Sequence, residues 1–148
     1  MEFAVQPSVP ALAYLGDCVL ELLVREYLVA SGLSHSSALN RAALAFVKAS
    51  AQADAMDRVL PFLTEEEAAW YRRGRNSGHL NFPKSASPAE YRRATGMEVL
   101  FGHLHAAGRD DRARELFALA YDLKAPSHSD LPAADPTENS TKNEENDL

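Results

Sequence analysis

The sequence predicts an all-α fold. No segment sustains the period-two alternation of a half-buried strand, apolar residues recur three and four apart along most of the chain, and capping signatures precede several of these runs. Ser8 is placed to cap a first helix that enters through Pro10 and runs to about Ser31, where Gly32 offers a stop. Ser36 or Ser37 opens a second, alanine-rich helical region through Met56, with a break near Ser50 and an end before Pro61. Thr64 and Glu67 form a capping box, in which each side chain can satisfy the other's backbone N–H. The helix they start is expected to end between Asn76 and Gly78. Residues 76–86 are rich in turn formers and read as a loop. Ser87, Pro88 and Glu90 then repeat the start signal for a helix to about Ala107, ended by Gly108. A last helix is expected over residues 110–124.

A chain of 148 residues, 46% of them apolar, can bury one compact core, expected over residues 1–126. Residues 127–148 carry six acids, one base and almost no large apolar side chain, and read as a disordered acidic tail. No run approaches the roughly 20 apolar residues that span a bilayer. Met1 to Pro10 holds no basic residue, which argues against a signal or transit peptide. The single cysteine, Cys18, excludes an intramolecular disulfide and a cysteine-based zinc cluster, and its apolar surroundings suggest a packed thiol. A reducing cytoplasm fits these features. The net charge of −6 is unevenly spread, and the tail alone accounts for −5. Residues 72–93 hold Arg72, Arg73, Arg75, Lys84, Arg92 and Arg93 against one acid, Glu90, a local surplus suited to an RNA backbone.

Two carboxylates fall where apolar residues belong. In the first helix, Leu12, Leu15, Val19, Leu22 and Leu23 form one stripe and Ala13, Leu20, Val24 and Leu28 another, so the helix is expected at the centre of the fold. Asp17 lies in the second stripe. In the helix after Ser87, Ala94, Met97, Phe101 and Leu104 form a stripe that contains Glu98. A carboxylate on a buried face needs a base or a cation. Each could be neutralised by an arginine or stand in water at the rim; alternatively both converge on one hard cation such as Mg²⁺. Glu21, one turn after Asp17, could join them or make ordinary salt bridges. His103 and His105 are two apart on a helix and cannot share a ligand face, and His35 and His79 are isolated, so zinc is a weak reading. With no phosphate-binding glycine loop and no nucleophile set beside a histidine, metal-assisted hydrolysis is the chemistry that survives.

The run Leu12-Ala13-Tyr14-Leu15-Gly16-Asp17, followed by Val19 to Val24, resembles the signature helix of the ribonuclease III catalytic domain. Ala94-Thr95-Gly96-Met97-Glu98-Val99-Leu100-Phe101-Gly102 resembles that family's second carboxylate motif. Arg73-Gly74-Arg75-Asn76, Pro83-Lys84 and Tyr91-Arg92 between them look like the Mini-ribonuclease III subfamily. The resemblance spans roughly residues 9–124. It implies a dimeric, ribonuclease III-type helical domain with Asp17 and Glu98 as catalytic and metal-binding residues. Ribonuclease III proper has two further site carboxylates; here their places hold Ala13 and Thr95, as the resemblance to the smaller subfamily implies.

By that resemblance the chain is a Mg²⁺-dependent endoribonuclease. It would cut double-stranded RNA as a homodimer, one strand per subunit, and leave 5′-phosphate and 3′-hydroxyl ends. The implied substrate is a stem of precursor large-subunit (23S) ribosomal RNA, with room for a ribosomal protein at the RNA. Residues 127–148 are too short for a double-stranded-RNA-binding domain, so RNA contact falls to Arg72, Arg73, Arg75, Asn76 and Lys84, while Arg92 and Arg93 could pair with an acidic first turn. Two rivals stand beside this reading: a non-catalytic RNA-binding ribosome-assembly factor with the same fold, and a helical protein-interaction module.

Overall fold

A computed structural model describes residues 2–78 and 87–123. Among them the chain forms α1 (Val9–Ala30), α2 (Ser36–Val47), α3 (Ala49–Val59), a 3₁₀ turn (Leu60–Phe62), α4 (Glu65–Arg75), α5 (Pro88–Ala106) and α6 (Asp110–Ala120), with no strand. The expected tail, residues 127–148, and Lys84 lie outside the described residues.

Local side-chain caps set three of the six α-helix starts among the described residues. Ser8 Oγ accepts from the Ala11 N–H, and both capping boxes form, Thr64 with Glu67 and Ser87 with Glu90. Three boundaries differ from expectation. Extended His35, not Ser36 or Ser37, precedes α2. The break between α2 and α3 falls at Lys48, whose ψ of 143° leaves the helical range, rather than at Ser50. The last helix stops at Ala120, short of residue 124. There Asp122 turns left-handed at φ 50°, and the Leu123 N–H folds back to the Ala118 carbonyl at 2.9 Å.

The central element is α5, not α1. It packs against α1, α3, α4 and α6, and between Ala94 and Leu104 every residue except Glu98 is buried. α1 packs on α5 and α2 but leaves one side open, with Tyr14 86%, Leu22 55% and Val29 62% exposed. Cys18 is exposed on that side too, which corrects the expectation of a packed thiol. The core joins Leu20, Val24 and Leu28 of α1 to Met56, Met97, Leu100, Phe101, Leu104 and Leu116. Each such side chain removed from water contributes about 1.5–3 kcal/mol.

Glycines let α5 approach its two largest neighbours at backbone distance. A Cβ on Gly16 of α1 would overlap the Glu98 carbonyl, and one on Gly102 of α5 would overlap that of Leu12. On the other side, a Cβ on Gly74 of α4 would lie 2.8 Å from Gly96 Cα, and one on Gly96 would lie 2.6 Å from the Tyr71 ring. A buried ion pair ties α6 to α4: Arg112 Nε and Nη2 donate to both oxygens of fully buried Glu67 at 2.9 Å, and Nη2 also reaches the Phe62 carbonyl at 2.8 Å. Those bonds hold the Glu67 carboxyl down at about 2.

The crossing of α1 and α5 makes Gly16 the least replaceable position of the helix. Gly16→Ala is expected to destabilise the chain by at least about 3 kcal/mol in denaturant melts, because backbone cannot yield as a side chain can. Gly108→Ala, where only a left-handed φ of 70° is strained and no atom lies within 4 Å, should cost about 1 kcal/mol. Equal costs would contradict the close crossing.

Candidate active site

Asp17 follows Gly16 directly, and the carbonyl that Gly16 touches belongs to Glu98. The glycine crossing therefore sets the two motif residues near each other on separate helices, close enough for the charge of Asp17 to act on the Glu98 carboxyl. Asp17 is exposed, which corrects its expected burial: its stripe is covered only further along, at Leu20, Val24 and Leu28. Glu98 is partly buried. Burial, and next the negative charge of Asp17, push its carboxyl up to about 7. Among the described residues no arginine, lysine or histidine pairs with either carboxylate. Glu21 does not join them; it pairs with Arg25 at 3.3 Å.

This donor set suits a hard divalent cation. Two adjacent oxygen donors, one of them costly to ionise without a positive neighbour, match an ion that takes one or two carboxylates and keeps several waters. The other two positions add nothing: Ala13 has no donor, and the buried Thr95 hydroxyl donates to the Tyr91 carbonyl at 3.0 Å. No cluster of three or more His, Cys, Asp or Glu side chains converges among the described residues.

The basic residues occupy the last turn of α4 and its cap. Arg72 is exposed and Asn76 is the C-cap. Arg73 lies over the Trp70 ring with Cζ 4.5 Å from its centroid, and Arg75 over Tyr71 at 5.7 Å, with its Nε donating to Asn76 Oδ1 at 3.3 Å. Arg93 is bound instead to Asp57 of α3 at 3.1 Å, not to an acidic first turn. In the first turn of α4, Glu66 faces His103 and Glu67 takes Arg112. Trp70 was not singled out by the sequence reading. Its spacing of three from Arg73 on a helix was the available signal.

The chain matches the Ribonuclease III domain over residues 10–109, a span that holds both carboxylate motifs. The chain belongs to the ribonuclease III family, on its Mini-ribonuclease 3 branch. A Mini-ribonuclease 3 of Symbiobacterium thermophilum is 46% identical over 112 residues, covering 76% of this chain and 86% of the relative. One from Enterococcus faecalis is 44% identical over 108 residues, covering 72% and 82%. A crystal structure of a Fusobacterium nucleatum protein superposes with a TM-score of 0.72 at 25% identity, covering 82% of this chain and 98% of that one. Ribonuclease III-family proteins are endoribonucleases that act on double-stranded RNA and generally depend on divalent metal. No helix among the described residues is long and apolar enough to cross a membrane.

The raised Glu98 carboxyl has a signed consequence for the metal-free chain. A carboxyl that ionises later in the folded state than in the unfolded one favours folding below the unfolded value of 4.5, and that contribution is lost as pH rises to about 7. Glu98→Gln removes this loss. The variant should therefore gain thermal stability relative to wild type between pH 5 and pH 8, with both proteins in chelator. A pH-independent difference would mean that Glu98 ionises normally.

Proposed function

We propose that the chain hydrolyses phosphodiester bonds in double-stranded RNA as a Mg²⁺-dependent homodimer, leaving 5′-phosphate and 3′-hydroxyl ends. The observation that carries this reading is the Asp17–Glu98 pair, drawn together at a glycine crossing and left without a basic partner among the described residues. A structural pair would be expected to find an arginine; a metal site would leave the carboxylates open. Asp17 and Glu98 would hold the ion through their carboxylate oxygens. Bound there, Mg²⁺ would lower the pKa of an attacking water and stabilise charge at the phosphate. Asp17 is exposed and so open to solvent, while Glu98 is partly buried among the packed residues of α5.

RNA recognition is assigned to Arg72, Arg73, Arg75, Asn76 and Lys84. A-form duplexes present phosphates and 2′-hydroxyls across a shallow minor groove and are read mainly by shape, which suits a cluster of guanidiniums. Binding should weaken with salt as phosphates recover their counterions. The homodimer is supported by an exposed line along α1, Tyr14, Cys18, Leu22 and Val29, spaced by four, four and seven residues and so on one face. By the resemblance to Mini-ribonuclease III, the substrate is a stem of precursor 23S ribosomal RNA in the cytoplasm, where a ribosomal protein is a candidate partner. A non-catalytic assembly factor of this fold has no use for two open carboxylates side by side.

With a labelled long RNA duplex and Mg²⁺, the wild-type chain should cleave, and Asp17→Asn and Glu98→Gln should each lower kcat by more than about a hundredfold while still binding duplex. A folded wild type that binds duplex but cleaves no structured RNA would favour the assembly factor.

A further inference from the structure

Several surface arginines here are fixed by carboxylates: Arg25 by Glu21 at 3.3 Å, Arg93 by Asp57 at 3.1 Å and Arg114 by Glu26 at 3.4 Å. Such a pair orders the guanidinium but offsets its charge and occupies its donors. Arg73 is fixed by other means. Its Cζ sits 4.5 Å from the Trp70 ring centroid, and Trp70 stacks on His103 with centroids 4.5 Å apart and planes 20° from parallel. The indole thus contacts both the guanidinium and the imidazole. His103 belongs to the central helix α5 and is 7% exposed, so the column runs from the core outward to the surface of α4. Among the described residues no carboxylate pairs with Arg73.

We propose that Trp70, backed by His103, is a positioning residue that presents the Arg73 guanidinium with its charge intact to a phosphate of the RNA duplex. The proposal rests on the reading of Arg73 as an RNA contact and adds how that contact is prepared. An indole face attracts a cation through its ring electrons and offers no oxygen acceptor, so the in-plane N–H donors of arginine stay free for phosphate. Stacking also removes in advance part of the side-chain freedom that an arginine loses on binding. His103 supplies the floor. Its Nε2 comes within 3.3 Å of Glu66 Oε1 without hydrogen-bond alignment, and burial outweighs that carboxylate in holding the ring toward its neutral form. A neutral ring below the indole does not compete with Arg73 for the π electrons.

The test is steady-state cleavage of a long RNA duplex by the full chain with Mg²⁺. Trp70→Leu keeps apolar bulk against His103 but lacks a π face. It should raise KM about two- to fivefold, the worth of an exposed cation–π contact, with kcat within about twofold. Trp70→Phe should restore most of the loss. Arg73→Ala should raise KM in the wild-type background and add little in the Trp70→Leu background. A KM rise for Arg73→Ala of equal size in both backgrounds, or none for Trp70→Leu, overturns the positioning role while leaving the RNA contact in place. No KM change for Arg73→Ala in a chain that still cleaves removes the contact itself, and the proposal with it. Should Trp70→Leu fail to fold, Trp70→Met, which also lacks a π face, takes its place in the same cycle with Arg73→Ala, and the same outcomes support or overturn the proposal.

Discussion

The close approach of two backbones, α1 at Gly16 and α5 at Gly102, is the constraint from which the rest of the site follows. Helices that meet through side chains stand 8–10 Å apart, and carboxylates carried on them need not converge. Here neither helix has a side chain at the crossing, and Gly16 rests on the carbonyl of Glu98 itself. The residue after Gly16 is Asp17. The nearness of the two acids thus follows from chain position and backbone contact. The same helix α5 meets α4 through Gly96 and Gly74, and α4 carries the arginines assigned to RNA. One buried helix positions both halves of the proposed chemistry.

That arrangement sets up an electrostatic imbalance. Elsewhere the fold neutralises what it buries: Glu67, fully buried, is clasped by Arg112 at both oxygens and stays ionised to about pH 2. Glu98 is also withdrawn from water, yet faces another acid, and its carboxyl moves the opposite way, to about 7. Two glutamates of one fold thus shift in opposite directions, one held by an arginine and the other beside an acid. The arginines divide in a similar manner. Those bound to carboxylates brace the surface, and Arg73 and Arg75, laid on Trp70 and Tyr71, pair with no carboxylate among the described residues.

Much of this was legible in the sequence. Capping boxes are local, two-residue statements, so Thr64 with Glu67 and Ser87 with Glu90 could be read directly and both form. The two misplaced carboxylates were visible as breaks in apolar stripes. What the stripes could not tell is how far each face is covered. α1 is apolar nearly all round, which suggested a central helix with Asp17 and Cys18 buried; its partners cover one side only, and both residues are exposed. Nor could spacing tell that Gly16, Gly74, Gly96 and Gly102 mark helix crossings, because a close approach depends on which helix lies opposite. The stacking of His103 beneath Trp70 joins residues 33 apart and has no sequence signal at all.

The glycine crossing is proposed to build a site for one hard cation between Asp17 and Glu98. The most direct measurement is a crystal structure of the wild-type chain grown with Mn²⁺ in place of Mg²⁺, with anomalous scattering recorded at the manganese edge. An anomalous peak is expected within about 2.0–2.4 Å of carboxylate oxygens from both residues. Ordered carboxylates at full Mn²⁺ concentration with no peak between them, or a peak held by other residues, would contradict it.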